Sequence, residues 1–325
     1  MRPHRFYRPA LLPAALTVLT AIGGCAKCPE TFVPIGQLVG EYNANAAAVE
    51  RLWARAKLAV TIDRDGVPYT WGSTSPLASP NGLLLLSKGP QRTGPHNFVL
   101  IGRETAAVEL FRLGSNVDEG VYYLWYRLGQ TGGVWWGRQQ FAGAPGIQAL
   151  PIDPNQLIAV LGICDLPERF DAPPTVCMAM DATPGKCAYV LTYIDRQPIT
   201  GNILFRREMY FRWSDTEPRR AFKVNLFDND GRCVMTARLD KYEPIDSPEA
   251  PAGDQMPVMP TDIELEWIAW PGRPAVIRSI HLVLSEMTTA ERGDPQAASR
   301  LQANLPTGLP TTQVDADVIP GGPSQ

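Results

Sequence analysis

The run Leu58-Ala59-Val60-Thr61-Ile62, the turn Arg64-Asp65-Gly66 and the return Val67-Pro68-Tyr69-Thr70-Trp71 decide the fold class. Both arms alternate apolar and polar side chains, the period of a strand with one buried face. Asp-Gly supplies the positive φ that a tight hairpin needs. Pro68 cannot donate to a ladder, which suits an edge strand or a strand start. The stretch just upstream has a different period. Leu38, Tyr42, Ala46, Val49, Trp53 and Ala56 recur at spacings of three and four, which predicts an amphipathic helix over 37–57. Glu41, Asn45, Glu50, Arg51 and Arg55 lie off that stripe, and Trp53 is expected to bury against a sheet.

Downstream, a Ser/Pro/Gly-rich loop over 72–82 leads into further strand patterns at 83–87, 98–102, 106–113, 121–126 and 134–141. A short helix is expected at 154–161, with Asp153 as cap, Pro154 in the first turn and Gly162 as the stop. Strand patterns resume at 187–195, 207–213, 220–227, 234–242, 263–269 and 276–284, and Asp228-Asn229-Asp230-Gly231 marks a hairpin turn. Residues 25–36 read as a tether and 37–287 as one domain. Residues 288–325 read as a disordered tail, too poor in apolar residues to offset the entropy of ordering. The fold class is therefore α+β and β-rich: an open, curved antiparallel sheet of about 11–12 strands, covered by a long N-terminal helix and a short central one.

The N-terminus carries an address. Arg2, Arg5 and Arg8 precede a short apolar stretch that ends Leu19-Thr20-Ala21-Ile22-Gly23-Gly24-Cys25. A lasting transmembrane helix needs ~20 apolar residues, and this stretch is shorter. The pattern resembles a bacterial lipoprotein signal over 1–24, which implies removal of that segment and lipidation of the Cys25 thiol. Two or more acyl chains make attachment to a bilayer stable. Ala26, next to the cysteine, is not the aspartate that retains lipoproteins at the inner membrane in the enterobacterial pattern. An outer-membrane location facing the periplasm is therefore expected.

Loss of three arginines takes the formal net charge from −3 to −6. A mildly acidic chain without clustered Lys/Arg is not expected to bind nucleic acid. Of six cysteines, Cys28, Cys164, Cys177, Cys187 and Cys233 remain after Cys25. Export permits disulfides. Cys177 and Cys187 flank the turn-like Ala182-Thr183-Pro184-Gly185 and are candidates to pair across it, with Cys164–Cys177 as the competitor. Cys25-Ala26-Lys27-Cys28 is a C-x-x-C only in appearance, because its first cysteine is the lipid site.

Catalytic chemistry is sparse. His4 leaves with the signal, His96 falls in a loop and His281 in an alternating strand. No G-x-S-x-G, H-E-x-x-H or Walker sequence is present. Two histidines and scattered cysteines do not make a zinc site. No enzyme activity, metal or cofactor is expected. The eight tryptophans are the remaining signal. Trp135 and Trp136 are neighbours in a strand and must face opposite ways. Large rings either fill a core or line an apolar ligand cavity.

The order of elements, together with local texture, resembles the lipoprotein-localisation factor (LolA/LolB-like) superfamily. The resemblance is carried by Val39-Gly40-Glu41-Tyr42-Asn43-Ala44-Asn45 through Leu52-Trp53-Ala54-Arg55, and by Phe111-Arg112-Leu113-Gly114-Ser115-Asn116 with Tyr123-Leu124-Trp125-Tyr126. Leu150-Pro151-Ile152-Asp153-Pro154 leading to Val160-Leu161-Gly162 adds to it. It spans most of 37–285 and implies an open half-barrel with helices plugging its mouth. It further implies an apolar ligand, a lipid or a lipoprotein acyl chain, held between sheet and helices. Tyr42, Val49, Trp53, Trp125, Trp135, Leu157 and Leu161 are the expected lining. No functional residue of the family carries over by motif. The expected partners are the membrane through Cys25, an acyl ligand and an envelope protein, in lipid or lipoprotein trafficking. The alternative is a structural or protein-interaction lipoprotein with a filled core.

Overall fold

The computed structural model describes residues 28, 31–89, 95–142, 152, 154–171, 174–183, 187–196, 203–214, 218–228, 230–248, 256–269, 276–290 and 297–316. Cys25 with the signal segment, Asp153 and Trp270 lie outside them. The chain starts with α1 (Ile35–Ala47), followed by β1 (Arg51–Arg64), β2 (Val67–Gly72), β3 (Gly82–Ser87), β4 (Asn97–Thr105), β5 (Val108–Asn116), β6 (Val121–Leu128) and β7 (Thr131–Arg138). Helix α2 (Pro154–Val160) comes next, then β8 (Thr175–Asp181), β9 (Ala188–Arg196), β10 (Ile203–Arg212), β11 (Ala221–Phe227), β12 (Cys233–Pro244), β13 (Val258–Trp267) and β14 (Ile277–Thr288). A one-turn helix α3 (Ala297–Arg300) and β15 (Thr311–Gln313) end the described chain.

All the strands join one curved, unclosed sheet of 15 strands, more than the dozen expected. Its order is β15-β7-β6-β5-β4-β3-β1-β14-β13-β12-β11-β10-β9-β8, with β2 on β1 off this path. The chain moves outward from β1 to β7, crosses through α2 to the far margin at β8, and returns strand by strand to β14 beside β1. Among the described residues every strand ladder is antiparallel except β15 with β7, and an isolated parallel bridge joins Asp246 to Thr288.

The helix expected over 37–57 ends at Ala47, and Arg51 already begins β1. Leu52, Ala54 and Ala56 are buried in phase with Leu58, Val60 and Ile62. That alternation runs through the whole strand and competes with the helical stripe over 49–56. Ladders to β3 on one side and β14 on the other favour the extended form. The Asp65-Gly66 hairpin forms as read, with φ of 52° and 86°, and Pro68 lies on β2, which among the described strands pairs with β1 alone.

One edge of β1 is shared by two strands. β3 covers Arg51 to Ala56 and β2 covers Ala59 to Arg64. The Leu58 peptide groups at the junction are met by a side chain. Asn81 Oδ1 accepts from Leu58 N at 2.7 Å, and Asn81 Nδ2 donates to Leu58 O at 2.9 Å. Gly72 ends β2 at φ 83°, where a Cβ would lie 2.0 Å from Leu58 O.

The inner face of the sheet, α1, α2 and the segment around 161–166 share one apolar cluster. The outer face has two smaller clusters. Leu83, Leu85, Val99 and Ile101 pack with Trp53 and Leu301; Tyr123, Trp125 and Val134 pack with Trp136, Ala303 and Leu309. The second partner in each is the tail. Over 297–316 the segment expected to be disordered is strapped across the outer face. Arg112, 2% exposed, donates to the carbonyl oxygens of Arg300 and Gln302 and pairs with Glu109 at 2.9 Å. Asn116 Nδ2 donates to Leu301 O at 3.2 Å, and Val314 N donates to Trp136 O at 2.9 Å. A few apolar side chains are enough to order this segment because the sheet supplies the rest of the contact.

The disulfide joins Cys28 to Cys187, with Cα atoms 5.4 Å apart. This replaces the expected Cys177–Cys187 pair and its Cys164–Cys177 competitor. Cys164 and Cys177 are free, and Cys233 Sγ lies 3.6 Å from Met235 O. Cys177 stands opposite Thr192 in the β8–β9 ladder, so Cys187 is five residues further along. That is about 17 Å of strand, and a disulfide tolerates a Cα separation of no more than about 7 Å. The expected tether is also tied down beyond Cys28: Trp213 Nε1 donates to Thr31 O at 3.0 Å, and Val33 N to Tyr189 OH at 3.2 Å.

Asn81→Ala strands both Leu58 peptide groups and should cost about 1–3 kcal/mol, read as a lower denaturation midpoint with unchanged m-value. Arg112→Ala should release the strap. Limited proteolysis should then cleave within 297–316 while the sheet core persists.

Candidate functional site

The helix-covered inner face is the candidate site. Helix α1 buries Leu38, Val39, Asn43 and Ala46 toward the sheet, and is pinned by amides acting as peptide surrogates. Asn43 Oδ1 accepts from Leu166 N at 2.7 Å while its Nδ2 donates to Leu166 O at 2.9 Å. Asn45 does the same with Val258, accepting at 2.8 Å and donating at 2.9 Å. Lys88 Nζ donates to Ala46 O at 2.5 Å in the last turn, where a cation suits the helix dipole. Helix α2 ends at Val160, and two residues on Gly162, the expected stop, has a φ of 76° that reverses the chain. Its Leu157, Ile158 and Val160 are buried, as are Leu161 and Ile163 beyond it.

Of the expected lining, Val49, Leu157 and Leu161 lie within the inner cluster, and Tyr42 and Trp135 pack against it. Trp53 and Trp125 do not belong there. Trp53 is a strand residue out of phase with Leu52 and Ala54, so it faces the outer cluster. Trp125 alternates with Leu124 and Tyr126, which point inward, and packs outside with Tyr123 and Val134. The neighbours Trp135 and Trp136 face opposite sides as read, Trp135 stacking on Tyr126 with centroids 5.4 Å apart.

Among the described residues, Tyr42 OH, Tyr193 OH and Arg207 Nε sit in this apolar surface with no hydrogen-bond partner. Tyr193 and Arg207 are cross-strand neighbours on β9 and β10. The guanidinium carbon lies 5.1 Å from the Tyr193 ring centroid. Tyr42 meets Phe211, two residues along β10, edge to face at 5.9 Å. Burial drives the Tyr42 hydroxyl far above its ordinary value, against the pull of the Arg207 charge, and pushes Tyr193 up to about 12. Both are therefore neutral donors. Cys164, in the same neighbourhood, is pushed up to about 12 by burial although Lys88 and Arg207 act against it, so it remains a thiol. Sequence pattern did not single out Arg207, Tyr193 or Asn43. Alternation along β9 and β10 was the available signal, since it places Tyr189, Leu191, Tyr193, Met209 and Phe211 on one face.

Other polar constellations lie elsewhere. His96 is buried and accepts from Gly89 N at 3.3 Å. His281 bridges Thr74 Oγ1, 2.8 Å from Nδ1, and Asp262 Oδ1, 2.7 Å from Nε2, while Lys241 reaches the same carboxylate at 2.6 Å. This hydroxyl–imidazole–carboxylate chain is part-exposed and ties the loop after β2 to β13 and β14. A shallow cleft of about 190 Å³ lies on the outer face, lined by Glu119, Val121, Tyr123, Trp136, Ala303 and Leu305. Among the described residues no group of three or more His, Cys, Asp or Glu could hold a metal. No helix among them is long and apolar enough to cross a membrane.

The described residues thus form a large unclosed sheet with α1 and α2 on its inner face. Solved structures similar to the chain include a DUF1329 family protein from Desulfovibrio piger (14% identity, 83% of this chain and 100% of that one, TM-score 0.44). A second is a putative outer membrane lipoprotein-sorting protein domain from Vibrio parahaemolyticus (10% identity, 82% and 97%, TM-score 0.47). A third is a LolA superfamily protein from Nitrosomonas europaea (12% identity, 77% and 92%, TM-score 0.38). No protein-family model and no curated protein sequence matches the chain.

Burial pushes the Asp262 carboxyl up, but the Lys241 ammonium and the His281 ring bonded to it hold it below its ordinary value. A carboxylate depressed in the folded state adds stability above its unfolded value, near pH 3.9, and loses that stability as pH falls through the folded value. The melting-temperature gap between wild type and Asp262→Asn should therefore be fully open at pH 6 and close below about pH 4.

Proposed function

We propose that the chain is a lipid-anchored envelope protein that takes an acyl chain, as free lipid or as part of a lipoprotein, between the inner face of the sheet and α1. The observation that carries this reading is the set of unpartnered donors, Tyr42 OH, Tyr193 OH and Arg207 Nε, within an apolar surface. A buried donor left unsatisfied costs about 1–3 kcal/mol. A core made only to be stable would have apolar groups there. An acylated ligand resolves the conflict, because its chain matches the apolar wall and its ester, carboxylate or phosphate oxygens accept from Tyr42, Tyr193 and Arg207. Helix α1 is suited to yield, since much of its polar attachment runs through two amide side chains, Asn43 and Asn45.

In this reading Cys25, freed by removal of 1–24, carries the lipid anchor, and the domain works at the outer membrane on its periplasmic side. No catalytic step is assigned to it. The filled-core alternative draws on the continuous packing of α1 and α2 with the sheet.

Native mass spectrometry and lipid extraction of the full-length protein should recover bound lipid. Arg207→Met should weaken its retention about fivefold, the loss of roughly one hydrogen bond. Bare polypeptide from both proteins would instead favour the filled-core alternative.

A further inference from the structure

The disulfide has a geometric consequence for any anchor on Cys25. Cys25 and Cys28 are three residues apart, and an extended chain spans at most ~3.6 Å per residue, so their Cα atoms lie within about 11 Å of each other. Cys28 is covalently fixed to Cys187, immediately before β9. An acyl group on Cys25 is thus held beside one end of the sheet.

That end is defined by the ladders. β9, β11, β13 and β1 begin there, and β10, β12 and β14 end there. Helix α1 lies across it. The approach to α1 is bonded to Tyr189 and Trp213 of the β9–β10 side, and its last turns are bonded to Val258 and Lys88 on the far side. The turns at 65–66 and 129–130 are at the opposite end.

The rim around Cys187 has the chemistry of an interface. Phe32 is 53% exposed and stands edge-on to Tyr189 at 6.4 Å. Met180, the ladder partner of Tyr189, is 50% exposed. Trp213 stacks at a tilt on Tyr189 at 5.3 Å, and exposed Arg212 adjoins it. Tryptophan and exposed apolar side chains favour the headgroup–acyl boundary, and arginine favours anionic lipid.

We propose that the Cys28–Cys187 disulfide orients the protein on its membrane, seating the rim of Phe32, Met180 and Trp213 on the bilayer so that the mouth covered by α1 faces the lipid. The inference rests on acylation of Cys25, and it assigns the disulfide the role of setting orientation in addition to tying the chain. A ligand released past α1 then enters the bilayer directly.

The acylated full-length protein on vesicles of phosphatidylethanolamine and phosphatidylglycerol provides the test, by flotation and by hydrogen exchange read with mass spectrometry. Relative to soluble Cys25→Ala, the bound protein should be protected at 31–35, 180–183 and 187–189, with 65–78 unchanged. Reduction on the vesicle, or Cys28→Ser, should abolish the rim protection while flotation persists. Phe32→Ser, which keeps the disulfide, should weaken it. Equal protection at both ends, or rim protection that survives reduction and Cys28→Ser, overturns the orientation. Failure of the wild-type protein to float, without acyl mass, overturns the anchor itself and this inference with it.

Discussion

β1 and β14 pair from Trp53 with Thr288 to Ile62 with Ile277, and this ladder makes one sheet of two meanders. The strands from β3 to β7 follow from one edge of β1; those from β13 back to β8 follow from β14. Leu58 opposite Leu282 and Val60 opposite Ile280 put large apolar side chains into the inner core at the seam. Partners so distant in sequence must overcome a sizeable loop-closure entropy before they gain anything. The length of β1 is what allows it. It offers one full edge to β14 and still has room on the other for two successive strands, with Asn81 filling the gap between them.

The two faces of the sheet solve the same problem differently. A sheet of this size exposes two apolar surfaces unless both are covered. Inside, α1 and α2 do so with apolar contacts plus a few amide bonds. Outside, residues 297–316 do so with little apolar surface of their own and many directed hydrogen bonds, anchored on buried Arg112. An arginine can be buried there because Glu109 and main-chain carbonyls satisfy its donors. Among the described residues, Tyr42 OH, Tyr193 OH and Arg207 Nε on the inner face have no hydrogen-bond partner, and neither has Trp125 Nε1 on the outer face.

Much of the sheet was legible in the sequence because alternation is local. The Asp65-Gly66 hairpin, the inward–outward split of Trp135 and Trp136 and the Gly162 stop each depend on neighbouring residues alone. The stretch from Val49 to Ala56 was ambiguous for a physical reason: its apolar residues satisfy a helical and a strand period together. The candidate site was only half visible. Tyr42, Val49, Leu157 and Leu161 followed from helical stripes, whereas Trp53 and Trp125 turned outward with the true strand phase.

By itself, the sequence determined what short-range physics governs: the β-rich class, the main turns, the second helix and the N-terminal pattern that points to Cys25. Only the tertiary structure decided which distant groups meet. Cys187 bonds Cys28 because β9 starts where the N-terminal segment is bound, while Cys177 is carried away along the ladder. The tail orders because a waiting apolar face and Arg112 complete it. Tyr42 comes to Arg207 because α1 crosses the sheet end. Each depends on a distance across the fold, which residue spacing does not encode.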